Sequence, residues 1–192
     1  MKATGIVRRI DDLGRVVIPK EIRRTLRLRE GTPLEIFTDR EGEIILKKYS
    51  PMVELAAFAV QYAEAMAQST GLMVCITDRD QVIAVAGGPK KDYLQKPVSR
   101  QLENEITERM TITAVKEDKN FITLVSEEPE GTTAQVIVPI ICEGDAIGAV
   151  AILGREPRTK FGDMEVKLAS TAAGFLGRQM EGGFNGGLED AS

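Results

Sequence analysis

The sequence contains no histidine and no tryptophan, and aromatic residues make up 5% of its 192 positions. Without histidine the chain cannot build a Ser–His or Cys–His nucleophile pair, and it lacks the commonest ligand of zinc. Histidine-dependent acid–base catalysis is therefore excluded. We expect no catalytic residues, no metal site, no cofactor and no enzymatic activity.

Cysteine is almost as scarce. Cys75 and Cys142 lie far apart in the sequence and form neither a Cys-x-x-Cys motif nor a disulfide framework. Each is flanked by apolar residues, which indicates a small hydrophobic side chain in a buried strand, because free cysteine is among the most buried residue types. The alternative is a redox pair acting as a thiol reductase, which requires the two sulfurs to meet or to lie in an open pocket.

Long apolar runs are also missing. No stretch reaches the roughly 18 residues needed to span a bilayer, and Met1–Gly5 has no apolar signal region. The sequence therefore predicts a cytoplasmic protein that has no membrane partner.

Charge is unevenly distributed along the chain. The formal net charge of −4 combines +4 over residues 1–50 with −8 over residues 51–192. A basic segment followed by an acidic one predicts that a polyanion binds the first part and that the second part has another role.

Residues 14–27, with the sequence GRVVIPKEIRRTLR, are the most informative stretch. The β-branched run Val16–Ile18 predicts a strand that ends at Pro19, a residue suited to the first position of a helix. In that helix Ile22 and Leu26 would share an apolar face. The basic residues have i, i+3, i+4, i+7 spacing and would share the opposite face: Lys20, Arg23, Arg24 and Arg27.

Around this stretch the pattern predicts the order strand, strand, short helix, strand, strand. The strands are expected at Thr4–Ile10, Arg15–Ile18, Leu34–Phe37 and Glu43–Lys48, separated by turns at 11–14 and 39–42. A unit of about fifty residues with one short helix has a thin apolar core. We therefore expect two chains to share one core. The residues predicted to face it are Ile6, Val16, Ile18, Ile22, Leu26, Leu34, Ile36, Ile44 and Leu46.

A basic surface often serves only solubility. Here the group is rich in arginine, whose planar guanidinium suits bidentate contacts with phosphate and guanine. Glu21 is the only acidic residue between Lys20 and Arg29. The pattern favours binding of double-stranded DNA or another polyanion. A single short helix excludes a helix-turn-helix, because that motif needs a second helix across the DNA backbone.

Residues 1–49 resemble the AbrB-type transition-state regulators, above all in GIVRR at 5–9, DLGRVVIP at 12–19 and ExRRxL at 21–26. The resemblance implies a swapped-hairpin, β-rich head that dimerises and binds DNA. It also implies an activator and repressor of sporulation and forespore genes that tolerates loosely defined DNA sequences. By resemblance the DNA contacts are Arg8, Arg15, Arg23 and Arg24, to which the helix spacing adds Lys20 and Arg27.

The second part begins at the junction 47–51, where Ser50 and Pro51 predict the start of a helix that ends near Ser69. Its wide apolar face is compatible with an ordinary core helix or with burial against a partner chain. Strands are expected at Leu72–Thr77, Gln81–Ala86, Thr111–Val115, Phe121–Ser126, Ala134–Ile141 and Ala146–Leu153, with partly helical residues 91–110 and a closing helix Asp163–Met180. This α+β layout resembles a GAF domain, whose outer helices commonly pair and so imply a homotetramer.

The chain is thus expected to divide into a swapped-hairpin DNA-binding domain (1–50), a GAF-like sensory and oligomerisation domain (51–181) and a disordered tail (182–192). Signatures for cyclic nucleotides and chromophores are absent, so the sequence leaves open an unknown small-molecule ligand or a role in assembly alone. Gly87–Lys91 is interpreted as a turn followed by solvated lysines. An alternative function is that of an antitoxin, which uses a similar head but usually wraps its toxin with a disordered tail.

Overall fold

The computed structural model describes residues 6–32, 34–48 and 56–185, with residues 181–185 described by their backbone alone. The chain divides into two compact units, Met1–Tyr49 and Ser50–Ser192. We call these units the head and the body. The helix start expected at Ser50 and Pro51 lies outside the described residues.

The head contains a short helix and a hairpin. Helix α1 spans Lys20–Thr25, strand β1 spans Leu34–Thr38 and strand β2 spans Ile44–Lys48. The two strands pair antiparallel, with Ile36 opposite Leu46 and Thr38 opposite Ile44. Phe37 is opposed to Ile45 on one face of the hairpin, and because directly opposed residues share a face, four other apolar side chains line the opposite one. We call it the apolar hairpin face, and its members are Leu34, Ile36, Ile44 and Leu46.

The two strands predicted ahead of α1 are not formed within the single chain. Residues 6–10 and 15–19 are not assigned to any ladder, although the Asp11 N–H donates to the Arg15 carbonyl across 3.1 Å in the turn between them. A β-branched run favours an extended, half-buried surface, but a strand also needs a partner. In one chain Val7 and Val17 remain 89% and 70% exposed. The prediction of strands at Thr4–Ile10 and Arg15–Ile18 is therefore wrong for the described residues of one chain.

The body is an α+β unit built on one antiparallel sheet. The elements are α2 (Ala56–Thr70), β3 (Met73–Asp78), β4 (Val82–Ala86), α3 (Lys90–Tyr93), α4 (Arg100–Glu108), β5 (Ile112–Val115), β6 (Ala134–Cys142), β7 (Asp145–Gly154) and α5 (Asp163–Asn185). Each agrees in type with a predicted element, and most bounds lie within two residues of the prediction. The five strands of the sheet follow the order β4-β3-β7-β6-β5.

Each face of this sheet supports its own core. Along β3, Val74 and Ile76 pack into one core and Met73 and Cys75 into the other, as the two-residue period of a strand requires. Helices α2 and α5 cover the first side, which we call the α2/α5 face. Helices α3 and α4, together with residues 121–125, cover the second, which we call the α3/α4 face.

Two predictions for the body are corrected. Segment 121–126 is not a strand: Leu124 and Val125 are buried, but the segment pairs through an isolated bridge between Val98 and Val125. Its apolar pattern reflects burial against the α3/α4 face and not a ladder. The tail predicted to begin at residue 182 also starts too early, because α5 continues through Asn185. Residues 186–192 lie outside the described part of the chain.

Across the described residues of head and body, no helix is both long enough and apolar enough to cross a bilayer.

Candidate nucleic-acid interface

Helix α1 presents three of the predicted DNA-binding residues, Lys20, Arg23 and Arg24, and all three side chains are exposed. The helix starts one residue later than predicted, with buried Pro19 as its N-cap. Ile22 is half-buried on the opposite side. Arg23 and Arg24 lie in the last turn, where unpaired carbonyls favour nearby cations. The cationic face expected of this helix is therefore present over Lys20–Arg24.

Arg27 was predicted to extend that face, but the helix ends before it. The N–H of Leu28 donates to the Arg23 carbonyl across 2.7 Å and the N–H of Arg27 donates to the Arg24 carbonyl across 3.3 Å. This pair of bonds is a Schellman motif, which turns the chain at its left-handed residue. Here that residue is Arg27, with φ of 50°. The helical placement of Arg27 is wrong, although its side chain is exposed beside the helix end.

Arg15 projects from the turn that follows residues 6–10. The Asp11 carboxylate accepts the backbone N–H groups of Leu13 (3.0 Å) and Arg15 (2.8 Å) through Oδ1, and Arg15 Nε across 2.8 Å through Oδ2. These bonds hold the pKa of Asp11 below its usual value, first through the Arg15 backbone and then through its guanidinium. From the sequence Asp11 is predicted only as a turn residue, although the Asp-x-x-Gly spacing at 11–14 recurs at 39–42.

Arg8 lies in the exposed segment 6–10. Of the six predicted contacts, three therefore share α1, Arg27 follows it, Arg15 lies in the turn and Arg8 lies before that turn. Within the described residues, Arg15 is the one member that forms an ion pair, with Asp11. The other five retain unpaired positive charge at the surface, which an anion could neutralise.

The apolar hairpin face is largely uncovered in one chain. Ile36 is 69% exposed and Ile44 is 68% exposed. Ile6, Val16, Leu26 and Leu46 of the predicted core are also exposed, while Ile18, Ile22 and Leu34 are partly buried. A contiguous exposed apolar surface of this kind marks an interaction site.

The body holds a polar group on its α3/α4 face. The Glu128 carboxylate accepts hydrogen bonds from the Tyr93 hydroxyl (3.3 Å), the Thr132 hydroxyl (3.2 Å) and the backbone N–H of Leu124. Burial raises the pKa of Glu128 above its ordinary value and raises the pKa of Tyr93 to about 12. This group ties the loop that carries Leu124 and Glu128 to α3.

The two cysteines are buried in β3 and β6, as predicted. Cys75 packs on the α3/α4 face and Cys142 on the α2/α5 face, so the sheet separates them. Burial also raises the pKa of the Cys75 thiol and disfavours its reactive thiolate. This arrangement does not meet the requirement of a thiol reductase. In the described part of the chain, no three cysteine or acidic side chains are grouped to hold a metal ion.

The head is similar to bacterial regulators and antitoxins. Residues 7–53 match the family described as antidote-toxin recognition MazE, bacterial antitoxin. Over 51 residues the chain is 65% identical to the transition state regulatory protein AbrB of Bacillus subtilis strain 168, an alignment that covers 27% of this chain and 52% of that protein. The AbrB-like head predicted from the sequence is confirmed.

The comparison extends through the body. Residues 54–181 match the family described as stage V sporulation protein T C-terminal, transcription factor. The chain is 55% identical over 181 residues to stage V sporulation protein T of B. subtilis strain 168, covering 94% of this chain and 99% of that protein. The chain belongs to the stage V sporulation protein T family. As a member of this family, it is a sporulation transcription factor with an AbrB-like DNA-binding domain.

The body of this member of the stage V sporulation protein T family has the GAF-like fold predicted for it. It is similar to the GAF domain of Acinetobacter phosphoenolpyruvate-protein phosphotransferase, with a TM-score of 0.53 and 13% identity over 75% of this chain and 90% of that one. At this identity the similarity establishes the fold and not the ligand.

Proposed function

We propose that two copies of the head form one basic surface that binds double-stranded DNA with little sequence preference. Through this surface the chain would activate some sporulation and forespore genes in the cytoplasm and repress others. The observation that carries this proposal is the set of exposed cations that are unpaired within the described residues: Arg8, Lys20, Arg23, Arg24 and Arg27. We propose residues 1–50 as the DNA-binding domain, with Arg15 as its sixth contact.

Dimerisation would explain how a small basic unit binds a polyanion. Two copies would place roughly six to ten cations near phosphates, and each neutralised phosphate releases a counterion. Binding would then weaken steeply with salt. Reading by groove shape and deformability, which needs few base contacts, would account for loosely defined targets.

The apolar hairpin face supports the dimer. Burying a large aliphatic side chain contributes about 1.5 to 3 kcal/mol, and Ile36 and Leu46 are directly opposed on this face. We expect Ile36→Asn with Leu46→Asn to raise the dimer dissociation constant by at least about tenfold in analytical ultracentrifugation. Glu35→Gln, on the opposite face of β1, is the matched control. A double variant that dimerises like the control would contradict a shared core at this face.

The body is proposed as the sensory and assembly domain, residues 51–181. Phe58 on α2 is 48% exposed and Met164 on α5 is 67% exposed, which supports pairing of these helices between dimers to give a tetramer. The GAF-like fold supports, in addition, an unidentified small-molecule ligand.

A duplex titration at several salt concentrations tests the DNA-binding surface. We expect Arg23→Ala with Arg24→Ala to weaken binding at low salt by at least about tenfold. The slope of log K against log salt should fall by up to about 4, because two residues are lost from each of two chains at about 0.9 per phosphate. Arg79→Ala, which removes an exposed arginine of the body, should change neither quantity. A wild-type chain that binds no duplex at low salt would refute the proposal, as would a double variant with wild-type affinity and slope.

The match of residues 7–53 to the antitoxin family favours an antitoxin as the second candidate. An antitoxin would use residues beyond the head to hold a toxin. Here residues 56–185 instead form a GAF-like unit with two packed cores, and residues 54–181 match a transcription-factor family. Transcriptional regulation is therefore the function that we propose.

A further inference from the structure

The turn before α1 is fixed by an aspartate. The Asp11 N–H donates to the Arg15 carbonyl across 3.1 Å and the Gly14 N–H donates to the Asp11 carbonyl across 3.0 Å. Asp11 Oδ1 accepts the N–H groups of Leu13 and Arg15. Gly14 has φ of 77°, in the left-handed region that glycine adopts without strain. We call residues 11–15 the first turn.

The hairpin between β1 and β2 repeats this geometry. In residues 39–43, the second turn, the Asp39 N–H donates to the Glu43 carbonyl across 3.2 Å and the Gly42 N–H donates to the Asp39 carbonyl across 3.4 Å. Asp39 Oδ1 accepts the N–H groups of Glu41 (3.0 Å) and Glu43 (2.9 Å). Gly42 has φ of 85°. The first and second turns of the head therefore have the same backbone and aspartate hydrogen bonds.

The two turns differ in the side chain at their fifth position. In the first turn that residue is Arg15, whose Nε donates to Asp11 Oδ2 across 2.8 Å. In the second it is Glu43, whose carboxylate side chain cannot donate a hydrogen bond to Asp39. Closing the turn uses Oδ1 in both cases, so the Oδ2 contact of Asp11 is additional to what the turn needs. This additional contact restrains the side chain of Arg15.

We propose that Asp11 is a positioning residue for DNA binding, which holds the guanidinium of Arg15 in place before DNA arrives. This inference rests on the proposed function, in which Arg15 contacts DNA. The bond to Nε leaves the two terminal Nη groups to make an end-on bidentate contact with phosphate or guanine. Arg15 remains 70% exposed. Ordering a long side chain opposes association, and an arginine held in advance avoids part of that penalty.

The same carboxylate also carries negative charge, which repels phosphate. Removing it would therefore strengthen binding if repulsion dominated and weaken binding if positioning dominates. We expect positioning to dominate, because Asp11 is already engaged by Arg15 and by two backbone N–H groups. Asp11→Ala should then weaken duplex binding by roughly 3- to 10-fold at low salt, the effect of disordering one long side chain.

The test compares five variants of the full chain by duplex titration at one low salt concentration: Asp11→Ala, Asp11→Asn, Asp39→Ala, Arg15→Ala and the double variant Asp11→Ala with Arg15→Ala. Asp39→Ala opens the equivalent turn and should bind within about twofold of wild type. The double variant should bind like Arg15→Ala alone, because Asp11 acts through Arg15. Asp11→Asn retains an oxygen that can accept the turn N–H groups and should lose as much affinity as Asp11→Ala.

Several outcomes would overturn the inference. Wild-type affinity in Asp11→Ala would overturn it. So would a loss of affinity from Asp11→Ala that persists in the Arg15→Ala background, since a persistent loss would reveal a purely structural role. Wild-type affinity in Arg15→Ala, with DNA binding otherwise intact, would refute the positioning role and leave the proposed function standing. A wild-type chain that binds no duplex would refute both. Circular dichroism of each variant checks that the head remains folded.

Discussion

The rings of Tyr62 and Phe175 stack, with centroids 5.1 Å apart and planes 24° from parallel. Tyr62 lies on α2 and Phe175 on α5, so the contact joins the first and last described helices of the body. Both side chains are partly buried against the α2/α5 face. Stacked aromatic pairs contribute about 0.5 to 1.5 kcal/mol beyond the area they bury. This pair therefore links the two ends of the GAF-like unit.

We expect Phe175→Ala to lower the free energy of unfolding of the body by about 1.5 to 3 kcal/mol, less than for a fully buried ring. Denaturation in urea, followed by circular dichroism, measures this change. Tyr62→Ala should couple with it by about 0.5 to 1.5 kcal/mol in a double-mutant cycle. Gln179→Ala, an exposed position on the same helix, is the control. A Phe175→Ala variant no less stable than this control would show that the stack is not stabilising.

Two glycines on α5 should respond in opposite directions to the same substitution. A Cβ at Gly177 would overlap the backbone carbonyl oxygen of Ile141, whereas a Cβ at Gly174 would meet Arg178 Nη1 at an ordinary 3.6 Å. Gly177→Ala should destabilise the body by about 1 to 3 kcal/mol, because α5 must move away from β6. Gly174→Ala should stabilise it by about 0.5 to 1 kcal/mol through helix propensity.

Thermal unfolding of Gly177→Ala, Gly174→Ala and wild type in one experiment measures both the expected loss and the expected gain of stability. The intrinsic helix preference for alanine is the same at the two positions, so their difference isolates the close approach of α5 to Ile141. Equal shifts at Gly174 and Gly177 would mean that this approach is not a constraint.

Arg27 provides a separate test of the head. A side chain in the left-handed region costs roughly 1 kcal/mol, and glycine avoids that cost at the end of a helix. Arg27→Gly should therefore be about 1 kcal/mol more stable than Arg27→Ala. Both variants lack the guanidinium, so both should bind duplex DNA equally weakly relative to wild type at low salt. Chemical denaturation and duplex titration measure the two effects.

If Arg27→Gly is no more stable than Arg27→Ala, the left-handed conformation at the end of α1 carries no strain. If both variants bind DNA as tightly as wild type, Arg27 is not a DNA contact.

An apolar pattern in the sequence predicts which segments are buried, but it does not by itself predict which of them pair as strands. The strands around Cys75 and Cys142 were predictable, because their apolar runs are bounded by glycine and acidic turns and both faces of the sheet are covered. Segment 121–126 carries a similar pattern, yet it packs on the sheet without joining it. A buried segment that is not paired and a buried strand can therefore have the same apolar residue pattern.

The candidate DNA-binding site was also predictable only in part. The cations of α1 could be identified from their spacing, whereas the end of the helix at Thr25 depends on a Schellman motif with arginine at a position that usually holds glycine. The bond from Arg15 to Asp11 depends on a side-chain conformation that spacing does not encode. The repeated Asp-x-x-Gly at Asp11 and Asp39 was the available signal. It predicts the shared turn but not the bond from Arg15 Nε to Asp11 Oδ2.

The partly buried carboxyl of Glu128 predicts a pH dependence of stability. Burial raises its pKa in the folded protein above the ordinary 4.5, so the folded state binds a proton more tightly than the unfolded state does. Its stabilising contribution is therefore fully present below pH 4.5 and is lost as the pH rises through the folded-state pKa. Tyr93 and Cys75 share this face, and burial raises the pKa of each, so both stay neutral in this range.

Glu128→Gln stays neutral at every pH and can still accept the Leu124 N–H. We therefore expect the unfolding free energy of this variant, relative to wild type, to increase as the pH rises from about 4 to 7. Urea denaturation at several pH values measures the trend. Glu127→Gln, which alters the exposed neighbouring carboxyl, should show the pH dependence of wild type. A difference between Glu128→Gln and wild type that stays constant or reverses over this range would mean that the pKa of Glu128 is not raised. Its loop would then be held to α3 by the hydrogen bonds of an ordinary carboxylate.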